Sequence, residues 1–257
     1  MTCAAGIALA SLVLVPAAAG TSTARPSIAL TASPARVMLH GSGRATVQLS
    51  NRGYRAIVVD VARAGFALDL RGRPKIVSQS GARAAVRWLA VRPRRLVVPP
   101  RGSGSLTVTA KLPPRVEPGD HDALLMLTTR PHLAGGVAVR MRVGVRVVVR
   151  APGAIVRRLD LRELRVREAG RVRVIELLVV NRGNVTEALL RNRVELILRQ
   201  SGHRQSSARP ATRELRPGTR GIVQFVYRGR LRGAVTASVA VALDGGAVTR
   251  RSYRLRL

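Results

Sequence analysis

A single cysteine, Cys3, is all the thiol in this chain of 257 residues. It lies at the extreme N-terminus, so the body of the chain can form no disulfide, cysteine nucleophile or cysteine metal site. Aromatic residues are almost as scarce. The six are Trp88, Phe66, Phe225, Tyr54, Tyr227 and Tyr253, 2% of the chain. Cores must therefore be built from Val, Leu, Ile and Ala, and rows of stacking platforms for nucleic acid are missing. Acidic residues number 13, and lysine occurs only at Lys75 and Lys111. No apolar run after residue 26 approaches the roughly 20 residues of a membrane-spanning helix. A Gly-x-Ser-x-Gly elbow, a phosphate loop and a pair of catalytic carboxylates are absent too, so neither an enzyme nor a cofactor is expected.

What is present in excess is arginine. The 45 basic residues against 13 acidic ones leave a formal net charge of +32. Arginine alongside abundant Ala, Gly, Val and Pro is the mark of coding bias. The resulting field also attracts polyanions, such as a cell-wall polymer, whatever its origin. The 46% hydrophobic content is enough for sizeable cores and excludes a disordered polycation. The apolar stretch Ala4 to Ala19 precedes small residues at Ala17-Ala18-Ala19 and Ser22-Thr23-Ala24. Residues 1–24 therefore read as a signal peptide, or as an uncleaved N-terminal anchor, for a secreted or cell-envelope protein. No Lys or Arg precedes the apolar stretch, and Cys3 stands before it, which does not fit a lipoprotein cleavage site.

Past residue 26 the hydrophobic period is two. Ala45, Val47 and Leu49 alternate with Thr46, Gln48 and Ser50; Leu106, Val108 and Ala110 alternate with Thr107 and Thr109. The longest alternation runs from Val137 to Arg150 and reads as one strand, with Val148 on the wet face. Tyr253, Leu255 and Leu257 alternate with Arg254 and Arg256. Each pattern predicts an antiparallel strand with one buried face. The most helix-tolerant piece is Leu159 to Ala169. A weak duplication divides the chain. Ala45 to Asn51-Arg52-Gly53 echoes Val174 to Asn181-Arg182-Gly183, and Val98 to Val108 echoes Leu215 to Phe225. Asn and Gly at these strand ends suit a left-handed turn. Ala151-Pro152-Gly153 is the natural junction. The expected architecture is all-β, two tandem immunoglobulin-like β-sandwiches over residues 26–151 and 153–257.

Several features carry a family resemblance: Ala32-Ser33-Pro34-Ala35-Arg36-Val37, the strand ending in Asn51-Arg52-Gly53, Trp88 to Pro93, Pro99 to Val108, and the long last alternation. Residues 27–150 resemble the N-terminal domain of periplasmic pilus chaperones, and in layout also the WxL-interacting surface proteins. The chaperone resemblance implies an Arg early in the first strand, here Arg36. It also implies a cation on the last strand, here Arg140, Arg142 or Arg146, to hold a subunit's terminal carboxylate. The last strand would then be lent to that subunit. The resemblance to the WxL-interacting proteins implies a sandwich that binds the cell wall.

Alternate positions on one strand also make Arg140, Arg142, Arg146 and Arg150 a ladder able to pair with carboxylates or phosphates. The leading expectation is an exported binding module that docks an envelope protein or anionic wall polymer. A strand-lending assembly chaperone and a purely structural stalk are the alternatives. Nucleic acid is not an expected partner, and membrane contact is expected only through an uncleaved N-terminal segment. In Asp120-His121-Asp122 the alternation separates the imidazole from the carboxylates, so the triplet predicts no metal site, and His121 reads as a corner residue. Trp88 reads as core.

Overall fold

The computed structural model describes residues 29–77, 83–134, 137–170, 172–190, 192–201, 203–208, 210 and 213–257. The signal read at residues 1–24 lies outside them. The described residues form strands throughout, with one short 3₁₀ turn at Val86–Trp88. The first half carries β1 (Leu30–Ser33), β2 (Arg36–His40), β3 (Gly43–Asn51), β4 (Ile57–Leu68), β5 (Pro74–Val77) and β6 (Leu89–Arg92). It continues with β7 (Arg95–Val98), β8 (Ser103–Ala110), β9 (Gly119–Thr129), β10 (His132–Ala134), β11 (Val137–Val139) and β12 (Arg142–Ala151). The second half has β13 (Leu159–Ala169), β14 (Val172–Asn181), β15 (Glu187–Leu189), β16 (Val194–Gln200) and β17 (His203–Ala208). It ends with β18 (Arg213–Leu215), β19 (Arg220–Tyr227), β20 (Ala234–Ala242) and β21 (Val248–Arg256).

In the first sandwich the sheet β1-β3-β8-β6 faces the sheet β2-β12-β9-β4, which β5 and β7 extend along β4. Inward positions recur every second residue. Val47, Leu49, Leu106, Val108, Leu125, Leu127, Val145 and Val147 are all at or near zero exposure and belong to one core. The second sandwich sets β13-β14-β19 and the short pair β15-β18 against β17-β16-β20-β21. Its core contains Ile175, Leu177, Leu196, Leu198, Phe225 and Val239. Two separate cores in one chain make two sandwiches, each stabilised without a disulfide by aliphatic packing.

The two Asn-Arg-Gly turns are the same device. Asn51 Nδ2 donates to Arg55 O at 2.7 Å and Pro99 O at 3.1 Å, while its Oδ1 accepts from Gly53 N at 2.9 Å. Asn181 Nδ2 donates to Val185 O at 2.8 Å and Leu215 O at 2.9 Å, and its Oδ1 accepts from Gly183 N at 2.9 Å. Both asparagines are buried. Here the left-handed-turn expectation is corrected, because none of the four Asn and Gly residues has positive φ. The asparagine is needed to satisfy buried carbonyls of two loops at once. Gly183 is needed for close approach, since a Cβ there would lie 2.4 Å from Val156 O.

Three further expectations are corrected. The alternation from Val137 to Arg150 is not one strand: β11 folds back on β10, and β12 starts at Arg142. At the break the Thr129 hydroxyl accepts the Met141 N–H at 2.9 Å, while the Thr129 N–H donates to Met141 O at 3.0 Å. Val148, read as wet, is fully buried yet lies outside the first core. Its neighbours on that face, Arg146 and Arg150, join networks that reach Thr186 of the second sandwich, which covers this stretch. Leu159–Ala169 is strand β13, with a bulge between Leu161 and Glu163. Burial of Leu159, Leu161 and Leu164 against the second core overrides its tolerance for helix.

Candidate functional site

The first sandwich places β2 parallel to β12, and the register sets Arg36 directly opposite Arg146. Both side chains leave the same face of the sheet and converge on one carboxylate, that of Glu214. Glu214 sits on β18 of the second sandwich, opposite Ala188 of β15. Sequence reasoning named the two arginines and missed the acid between them.

Around this clamp lies a polar joint. Arg146 Nε donates to Asp122 Oδ1 at 2.8 Å, and Arg216 Nε of the second sandwich donates to Asp122 Oδ2 at 2.6 Å. The Arg216 guanidinium also stands 4.5 Å from the Phe66 ring centroid and donates to Phe66 O at 2.9 Å. Asp120 holds Arg150 through two bonds of 2.7 and 3.1 Å and accepts from Thr186 N at 2.8 Å. Its own N–H donates to Asn184 O at 2.8 Å. Beside the joint, the Ile222 N–H donates to Leu70 O at 2.7 Å. The side chains of Asp120 and Asp122 are at or near zero exposure. Buried charges are tolerable only when paired and hydrogen-bonded, and here the pairs to Glu214 and from Arg216 cross between the sandwiches.

The electrostatics reflect this geometry. Burial pushes the Asp120 carboxyl upward, but its bonds from Arg150 and the Thr186 N–H outweigh burial and hold it below the usual aspartate range. Four arginines (Arg36, Arg146, Arg150, Arg216) meet three carboxylates (Asp120, Asp122, Glu214), leaving one positive charge in excess. Arg36 Nε is buried with no hydrogen-bond partner among the described residues. A cavity of about 620 Å³ opens beside the joint, against Phe66, Arg83, Asp122 and Arg216.

The other candidate residues are elsewhere. Arg140, just before β12, and Arg142, its first residue, are exposed. Among the described residues this start of β12 pairs only with β9, because β2 begins opposite Arg146. The Arg146 N–H donates to Ala35 O on the β2 side. By the two-residue period, the N–H groups of Arg142 and Gly144 face that same side, where no strand is present among the described residues. Next to this open edge, Val139, Met141 and Val143 pack only partly against the first core.

His121 stacks on Trp88 with ring centroids 4.5 Å apart, and its Nε2 contacts Glu117 O at 2.8 Å. It is buried within β9, opposite Val149 of β12, and Trp88 packs against the first core. Among the described residues no group of three His, Cys, Asp or Glu converges as a metal site requires. None of their helices is long and apolar enough to cross a membrane.

The overlooked joint residues gave one faint signal: two of only 13 acids flank His121 at the start of a strand. Their partners lie 24 to 94 positions away, so no local pattern announces the pairing.

No family model and no curated protein matches this sequence. Solved structures do. The class 5 fimbriae chaperone CfaA is similar over 89% of this chain and 100% of its own, with 11% identity and a TM-score of 0.51. A chaperone-tip adhesin complex of CFA/I fimbriae biogenesis covers 89% and 98%, with 10% identity and a TM-score of 0.50. At such identity the likeness is one of fold, and the fold is the two-sandwich, immunoglobulin-like architecture of the pilus periplasmic chaperones.

Proposed function

We propose that this chain is a cell-envelope binding protein that holds a protein subunit by lending it the open edge of β12, as a pilus-type assembly chaperone does. The observation that carries this reading is the unpaired half of that edge, with its apolar row Val139, Met141 and Val143, leading directly to the Arg36–Arg146 pair. An extended segment added at the edge would gain main-chain hydrogen bonds. Its terminal carboxylate would take the place of Glu214 between the two arginines. The chaperone fold, shared with CfaA, supports this reading over a stalk. The two units, residues 26–151 and 153–257, would divide the work, with the first lending the strand and the second closing the joint.

A second reading, docking of an anionic wall polymer, is favoured by the exposure of Arg140 and Arg142 in a chain of net charge +32. Two variants at one residue separate the readings. Arg142→Pro removes an edge N–H while keeping the β9 face, since proline is tolerated at a strand's first residue. Arg142→Gln removes only the charge. Tagged protein is incubated with envelope extract and, separately, with purified sacculi. Strand lending predicts that a polypeptide retained by the wild type and by Arg142→Gln is lost with Arg142→Pro. Polymer docking predicts co-sedimentation with sacculi that weakens equally in both variants.

A further inference from the structure

Five of the six aromatic residues are buried or packed against a core. Tyr54 is not: it is 54% exposed. It stands at the mouth of a concave site of about 540 Å³, with Gln48, Ser50, Arg52 and Arg101 around it and Asn51 beneath. Asn51 is 1% exposed and ties the two bordering loops together through its bonds to Arg55 O, Pro99 O and Gly53 N. The Arg101 N–H donates to Gly53 O at 3.1 Å, closing the same frame. The walls are therefore held in place before any ligand arrives, which lowers the ordering cost of binding.

From this mouth a polar track runs along the outer face of β3 and β8. The register pairs Ser50 with Ser103, Gln48 with Ser105 and Thr46 with Thr107, one row about every 6.8 Å. Three successive cross-strand pairs thus present hydroxyls and an amide. Among the described residues the site lining contains two arginines and no carboxylate. An aromatic ring at one end, hydroxyl rows behind it and two guanidiniums at the rim match a chain of hydroxylated rings bearing negative groups.

We propose that this end of the first sandwich binds an anionic oligosaccharide, one sugar ring lying on Tyr54 and its carboxylate or phosphate held by Arg52 and Arg101. Single-stranded nucleic acid fits less well, because its readers offer several stacking platforms and this site has one. The site uses neither β12 nor the joint, so it stands or falls independently of strand lending.

The test titrates the full chain with hexagalacturonate, with neutral cellohexaose and with an oligothymidylate of matched charge. Tyr54→Ala is the decisive variant because it leaves the net charge unchanged. The exposed position of Tyr54 means the variant folds, which an unchanged thermal transition verifies. The expected result is hexagalacturonate binding that Tyr54→Ala weakens about tenfold. Arg52→Gln with Arg101→Gln should flatten the salt dependence, and cellohexaose should bind more weakly. The proposal is overturned by absence of hexagalacturonate binding, or by equal affinity of Tyr54→Ala and wild type. It is equally overturned if cellohexaose binds as tightly, or if oligothymidylate binds as tightly with the same dependence on Tyr54.

Discussion

The loops at Asn51-Arg52-Gly53-Tyr54 and Asn181-Arg182-Gly183-Asn184 are built alike and used differently. In each, a buried asparagine ties two loops together through the same three kinds of bond. The fourth residue decides how the loop is used. Asn184 accepts from Val156 N at 2.8 Å, donates to Ala154 O at 2.8 Å, and offers its own carbonyl to Asp120 of the first sandwich. Tyr54, at the matching position, faces solvent. A duplicated scaffold thus joins the sandwiches in one copy and stays a free end in the other. A shared turn geometry sets a platform, and one side chain next to it assigns the platform's use.

Removing the shared scaffold should have the largest effect. Asn51→Ala strips four side-chain hydrogen bonds and Asn181→Ala three, leaving carbonyls buried without donors, so each should cost about 2–4 kcal/mol. Urea unfolding followed by a probe in each sandwich checks this. If the loops are equivalent, each variant should lower the transition of its own sandwich by a similar amount.

Asp120→Ala comes next, because it strands Arg150 and the Thr186 N–H on the side where the loop is used as a joint. About 2–3 kcal/mol should be lost. The pH dependence has a definite sign. The folded carboxyl is held below its unfolded value of 3.8, so its stabilisation is present above about pH 4 and fades as pH falls through the folded value. Thermal unfolding between pH 3 and 7 should show a smaller fall in Asp120→Ala than in the wild type, because Asp60 and Asp69 are lowered as well.

The exchange of fourth residues is the smallest and sharpest test. Asn184→Tyr loses both side-chain bonds to the junction and should cost about 1–2 kcal/mol. Tyr54→Asn changes an exposed residue and should stay within about 0.5 kcal/mol. Equal effects in the two directions would remove the distinction between a used and a free loop.

The legibility of this molecule was uneven for physical reasons. Strands such as Ala45–Asn51 and Leu106–Ala110 were readable because one buried face imposes a two-residue period on the local sequence. The break at Met141 was not, because the contact found there, Met141 N–H to the Thr129 hydroxyl, joins residues twelve positions apart. Arg36 and Arg146 were named from a family resemblance. Their common target, Glu214, was invisible, as were Asp122 and Arg216, because charged pairs between sheets carry no periodic signature.

By itself, then, the sequence determined an all-β chain of two aliphatic cores and a repeated asparagine turn, since hydrophobic alternation and turn chemistry are local. Only the tertiary structure decided which arginines are engaged. Four of them close a joint on three acids, while Arg140 and Arg142 stay in solvent. It also decided which of two similar loops remained open. Both outcomes depend on distant strands meeting, and a meeting across a hundred residues is set by packing and register rather than by neighbours in the chain.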